Sequence, residues 1–151
     1  MQLIDEKMRA HHTAICVIDF ERARDFYCEF LGFELEGEMD RRSEAALGEV
    51  VGLPGAVVRW AMLRHDSYRV ELFKYYSPEG DSRPRRQCDF GYSHMAFEVT
   101  DVDSVYRQVI DAGYRTVSTP QVMRNGRTKV FYLAEPEGAI TEFIQLLDVA
   151  P

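Results

Sequence analysis

Two histidines and two glutamates draw attention because they occur twice over in matching surroundings. His12 opens the apolar run HTAICVID, and His94 opens HMAFEVTD much later in the chain. Glu71 lies within VELF and Glu142 within TEFI, each in a strand-like run that closes its half of the sequence. Side chains two apart in a strand share a face, so His12 points with Ala14 and Cys16, and His94 with Ala96 and Glu98. A small neighbour beside each histidine leaves room for an ion and a ligand. A single histidine at a strand start reads as structural, and a single glutamate in an apolar strand as a solvent-facing edge residue. The same pair at equivalent positions in both halves reads differently. Burying an unpaired carboxylate is costly, and a shared partner would offset that cost twice. Two imidazoles and two carboxylates suit one borderline divalent ion such as Zn, Ni, Co, Mn or Fe. In an octahedral shell they would leave two positions for water or substrate.

The elements that must position these residues read as two copies of one βαβββ module. Each opening run is short, rich in β-branched residues and ended by an aspartate, Asp19 or Asp101. A helical pattern follows each: Ala23, Phe26, Tyr27, Phe30 and Leu31, then Val102, Val105, Tyr106, Val109 and Ile110. The aspartates can cap the first turns, and Gly32 and Gly113 stop the helices. The strands expected next are AVVRWAMLRH and YRVELFKYY in the first module, and TKVFYLAE and AITEFIQLL in the second. Asn125-Gly126 marks a hairpin turn. These signals predict an α+β chain of one domain, 1–151, with module one at about 9–78, a linker at about 79–91 and module two at about 92–148. The linker is set by the Pro-, Gly- and charge-rich YYSPEGDSRPRRQCDFGYS. Residues 39–55, MDRRSEAALGEVVGLPG, read as an insertion into module one with helical composition around Ser43–Val50.

The bulk composition narrows the function classes. With 151 residues, 46% hydrophobic and 28% charged, the chain is an ordinary soluble sequence with a sizeable core. A net charge of -7 argues against a nucleic-acid surface, which needs a basic field. No apolar run approaches ~18 residues, so no membrane span is expected, and the N-terminus lacks the order of a secretory signal. Cys16, Cys28 and Cys88 form no CxxC pair and fit reduced thiols, which points to a cytoplasmic protein. Cys16 and Cys28 fall in apolar patterns and are expected to be packing residues.

HTAICVIDFERARDFYCEFLGFE, HMAFEVTDVDSVYRQVIDAG and EPEGAITEFIQ together resemble the vicinal oxygen chelate superfamily, which holds glyoxalase I, methylmalonyl-CoA epimerase, extradiol dioxygenases and bleomycin-resistance-type proteins. The resemblance spans roughly residues 9–147. It implies a glyoxalase-like fold whose mostly antiparallel sheet cups a metal site, with His12, Glu71, His94 and Glu142 as ligands. It also implies a small-molecule substrate that chelates through vicinal oxygens or a thioester, and a homodimer whose site closes within one chain or across two. The turn EPEGA departs from the Asp-Pro-x-Gly-Asn of many members but keeps Pro136 and Gly138.

By that resemblance the reaction is proton transfer next to a carbonyl through a metal-stabilised enolate, as in a lyase or isomerase, with Glu71 or Glu142 as the base. An extradiol-type dioxygenase on the same scaffold is the alternative, although such enzymes resemble the two-His-one-carboxylate pattern and do not use a glutamate where Glu71 stands. A non-catalytic resistance-type binding protein is a further alternative, against which the complete ligand set weighs. In glyoxalase I, groups that grip glutathione stand where this chain has Cys16 and Tyr75. Glu44, Glu49 and Glu98 are candidate second carboxylates. Arg83, Arg85 and Arg86 could meet an anionic substrate tail. His11 and His65, which have no counterpart in the other module, read as structural, and Phe73 and Tyr75 as possible cup-wall residues.

Overall fold

The residues described by the computed structural model are 9–89 and 91–147, and the chain divides between Ser82 and Arg83 into two units. The expected absence of a signal over 1–8, Phe90 of the linker, and residue 148 at the end of module two lie outside the described residues.

The first unit opens with β1 (Thr13–Cys16), followed by α1 (Phe20–Asp25), which continues as a π-helical stretch over Phe26–Phe30. Asp19 caps α1 as expected, its carboxylate accepting from the Arg22 N–H at 3.1 Å. Gly32, at φ 76°, supplies the left-handed residue that ends the helix. β2 (Glu34–Arg42), α2 (Ala45–Val51), β3 (Val57–His65) and β4 (Tyr68–Ser77) complete the unit. The sheet order is β1-β4-β3-β2, with β1 parallel to β4 and the other pairs antiparallel. Strand alternation sorts the side chains. Ala61, Leu63, Val70 and Leu72 are buried, as are Phe20, Ala23, Phe26 and Tyr27 of the helix that packs against β4. Each large side chain buried this way contributes roughly 1.5–3 kcal/mol. Trp60, Met62, Glu71 and Phe73 take the opposite face.

The second unit repeats the plan with β5 (Met95–Glu98), α3 (Val102–Asp111), β6 (Arg115–Thr116), β7 (Gln121–Met123), β8 (Thr128–Ala134) and β9 (Ile140–Leu146). Asp101 caps α3 by accepting from Ser104 N–H at 2.9 Å, and Gln145 of β9 accepts from Val102 N–H at 3.0 Å. β5 runs parallel to β9, β9 pairs antiparallel with β8, and both β6 and β7 pair with the far edge of β8. The module's second strand is thus in two pieces, interrupted before Pro120, which has no N–H to donate to a ladder. Asn125 and Gly126 (φ 54° and 84°) form the β7–β8 turn, closed by Arg127 N–H to Arg124 C=O at 3.3 Å. On the helix side Tyr106 meets Phe131 edge-on at 5.3 Å, and Phe131 stacks on Phe143. The fold is α+β, two sheets with a helix on one face of each, in two βαβββ units of the glyoxalase-like kind.

Two expectations need correction. Residues 39–42 belong to β2, so the interruption in unit one starts at Ser43. Its polarity hid that strand. β2 is the sheet edge, bulged twice, and its glutamates pair with arginines of β3 and β4: Glu38 with Arg59 at 2.6 Å, and Glu36 with Arg64 at 3.1 Å and Arg69 at 2.6 Å. Charged and bulged edges of this kind protect a sheet from further pairing, and they erase the apolar alternation that marks a strand in sequence. Cys16 is exposed, because it shares the face of His12 rather than the face that packs on α1. Cys28 is partly buried, as its pattern suggested.

Candidate metal centre

Parallel pairing of the first and last strands in each unit is what brings histidine and glutamate together. In unit one the register sets Ala14 beside Glu71 and Glu71 beside Met62. In unit two the same rungs are Ala96, Glu142 and Tyr132. His12 and His94 each stand one residue before their strand, two before the alanine of that rung. His12 Nε2 lies 3.1 Å from Glu71 Oε2, and His94 Nε2 lies 3.0 Å from Glu142 Oε2. Both carboxylates are 15% exposed and the imidazoles 35% and 29%, so each pair is shielded yet reachable. The structure therefore brings the four candidate residues into two equivalent pairs, one per unit. Among the described residues no group of three or more His, Cys, Asp or Glu side chains converges.

The surroundings of each pair bear on what it can hold. Ser93 Oγ lies 2.9 Å from His94 Nδ1 and donates its own proton to Gln87 Oε1 at 3.0 Å. That leaves His94 Nδ1–H as the donor to Ser93 and turns Nε2 toward Glu142. An imidazole nitrogen and a carboxylate oxygen 3.0 Å apart share either a proton or a cation between them. Two ligands at cis positions around one ion, with bonds of about 2.1 Å, stand about 3 Å apart, and both pairs match that spacing. A partner on the other ring nitrogen is also the usual arrangement for a metal-ligating histidine. In unit one the second ring nitrogen, His12 Nδ1, is 2.8 Å from His11 Nδ1. The donor set and its supports fit a divalent ion.

Glu71 has a further partner: its Oε1 accepts from the indole N–H of Trp60. Glu142 faces a hollow of about 410 Å³ in unit two, lined by His94, Thr128, Val130, Tyr132, Met123 and Ile144 among others. The His94 and Tyr132 rings lie 4.9 Å apart. Burial and then the charge of Glu142 push the Tyr132 phenol up, so it stays protonated and able to donate. Tyr75 is likewise pushed up, by burial and then by Cys16 and Glu71. Although Cys16 is exposed as a residue, crowding around its sulfur pushes the thiol up, which keeps it from acting as a thiolate.

Other candidates fall elsewhere. Glu44 sits at the start of α2 paired with Arg42, and Glu49 is exposed on α2. Glu98 is exposed at the end of β5. Arg86 is paired with Asp89 at 2.9 Å. His65 lies 3.6 Å from Asp66 and 5.3 Å from the Phe33 ring, a structural setting. Trp60, Ser93, Gln87 and Tyr132 were not singled out by sequence. Two of them could have been: the tight turn between His65 and Tyr68 fixes the β3–β4 register and puts Trp60 on the face of Glu71, and Ser93 adjoins His94.

Residues 9–143 match the profile of the Glyoxalase/Bleomycin resistance protein/Dioxygenase superfamily. The chain belongs to that superfamily. Among glyoxalase-superfamily relatives, a 2-epi-5-epi-valiolone epimerase from an Actinomyces species is 30% identical, with 93% of this chain and 81% of the relative covered. A lactoylglutathione lyase of Neisseria meningitidis is 28% identical over 91% of each chain. The crystal structure of a glyoxalase family protein from Bacillus cereus superposes with a TM-score of 0.82 at 24% identity, covering 98% of this chain and all of that one. At that identity the likeness speaks to the glyoxalase-like fold alone. The chain accordingly has a glyoxalase-family function, in a superfamily whose named relatives include a lyase and an epimerase. No helix among the described residues is long and apolar enough to cross a membrane.

Proposed function

We propose that the protein is a metal-dependent lyase or isomerase that moves a proton at the carbon next to a carbonyl of a small molecule with vicinal oxygens or a thioester. The observation that carries this reading is the doubled pair, His12 with Glu71 and His94 with Glu142, at identical rungs and nearly identical distances. These four residues would hold one divalent ion, Zn, Ni, Co, Mn or Fe, within one chain or across a homodimer. The ion would draw charge from the substrate oxygens and so acidify the neighbouring C–H.

The chain's own residues would do the rest. Glu142 suits the role of base: its Oε1 has no hydrogen-bond partner among the described residues, and it borders the hollow that could receive a substrate. Glu71 is the other candidate, but one of its oxygens is engaged by Trp60. The phenol of Tyr132, kept protonated beside Glu142, can donate to an oxygen that gains charge. Val130 and Ile144 would shield the proton in transit from water. An epimerase-type outcome agrees with the epimerase relative, and Cys16 and Tyr75, at positions where glyoxalase I grips glutathione, count against a glutathione adduct.

The test is solvent exchange under strict anaerobiosis. Metal-loaded protein should exchange the α-proton of a matching 2-oxo or thioester compound with deuterium from solvent. Stoichiometric oxygen consumption on a catechol, with no exchange on any carbonyl compound, would make the protein a dioxygenase instead.

A further inference from the structure

Glu71 and Glu142 occupy the same rung of two copies of one sheet, yet their second oxygens are treated differently. Glu71 Oε1 is held by the Trp60 indole, while Glu142 Oε1 has no such donor among the described residues. The difference has a simple origin. Trp60 stands opposite Phe73, two residues along β4 from Glu71, and the matching position in unit two is Val130, opposite Ile144. A valine has nothing to donate.

The indole is built into its place. Its N–H is a donor only, and a bond to an ionised carboxylate is stronger than one between neutral groups. The ring lies over Gly37 of β2, where an added Cβ would come within 3.4 Å of two ring carbons. Gly37 sits at one of the two bulges of β2, paired with Met62 on the same face. The Arg42 guanidinium lies 5.7 Å from the ring centre. With a glycine against the ring and the Arg42 cation over its face, the indole N–H is turned to Glu71.

Resting on the ligand reading above, we infer that Trp60 is the positioning residue of the first pair, fixing Glu71 through Oε1 so that Oε2 alone is presented beside His12. Outer partners of this kind commonly carry 10–100-fold in metal affinity. The asymmetry also divides labour between the modules: the tied carboxylate serves as a permanent ligand, and the untied one is free to change partners.

The chain contains one tryptophan, so its emission reports this contact alone. Chelator-stripped protein is titrated with zinc, a closed-shell ion, while tryptophan emission and bound zinc are both followed. Emission should shift in step with zinc uptake. Trp60→Phe, which keeps the ring and removes the donor, should bind zinc about 10–100-fold more weakly with the melting temperature of the stripped protein nearly unchanged. A purely structural role would lower that melting temperature and leave affinity alone, which overturns the inference. Equal zinc affinity of Trp60→Phe and the parent overturns it as well, and so does zinc uptake without any change in emission; the ligand reading survives both. Should the parent protein bind no zinc but take up Ni, Co, Mn or Fe, the affinity comparison is made with that ion; uptake of none of the five ends the ligand reading and this inference with it.

Discussion

Glu142 is 15% exposed, borders a hollow and has one of its two oxygens without a partner among the described residues, whereas Glu71 is engaged through both. A base must be able to turn toward a substrate proton, and a carboxylate pinned at both oxygens cannot. Replacing Glu142 with glutamine keeps the shape and one oxygen but removes the basicity. Glu142→Gln should therefore lower α-proton exchange by about two orders of magnitude or more, the usual scale for a lost general base. Bound metal has to be measured in the same sample, since loss of the ion would mimic loss of the base. Exchange at the parent rate with metal retained would move the base elsewhere.

The elements show why some of this was legible in the sequence and some was not. β1, β5, β4 and β9 advertise themselves through β-branched residues and period-two alternation, and Asp19 and Asp101 mark helix starts by a local rule. The histidine and glutamate positions stood out because they repeat just before β1 and β5 and within β4 and β9. β2 escaped, since an exposed, bulged edge laced with arginine–glutamate pairs carries no apolar alternation. The Trp60–Glu71 bond escaped for another reason: it joins two strands, and its geometry depends on a cross-strand register and on the absence of a side chain at Gly37. Those ion pairs make a prediction of their own. The bond from Arg69 holds the Glu36 carboxyl below its ordinary value of 4.5. A carboxyl depressed by folding stabilises the fold above its unfolded pKa, and that contribution is lost as pH falls through the folded value. Unit one should therefore melt at progressively lower temperature as pH drops below about 4.5, and Glu36→Gln should flatten the drop. An unchanged acid profile for that variant would show that the exposed pairs contribute nothing measurable.

At the scale of the whole molecule, duplication is the organising fact. Each unit by itself supplies one imidazole and one carboxylate, too few to complete the shell of a divalent ion. On the proposed reading, the two pairs would supply four protein donors to one ion and leave two positions for substrate. The net charge of -7 disfavours nucleic acid as a partner. Removing one donor should be felt by the whole shell, because the remaining carboxylate of that pair loses its partner. The most direct measurement is metal analysis of protein purified without chelator and offered Zn, Ni, Co, Mn and Fe in turn, alongside His94→Ala. The account predicts close to one divalent ion per chain in the parent and loss of most of it in the variant. A parent protein that takes up none of the five, or a His94→Ala protein that keeps its full complement, would contradict it.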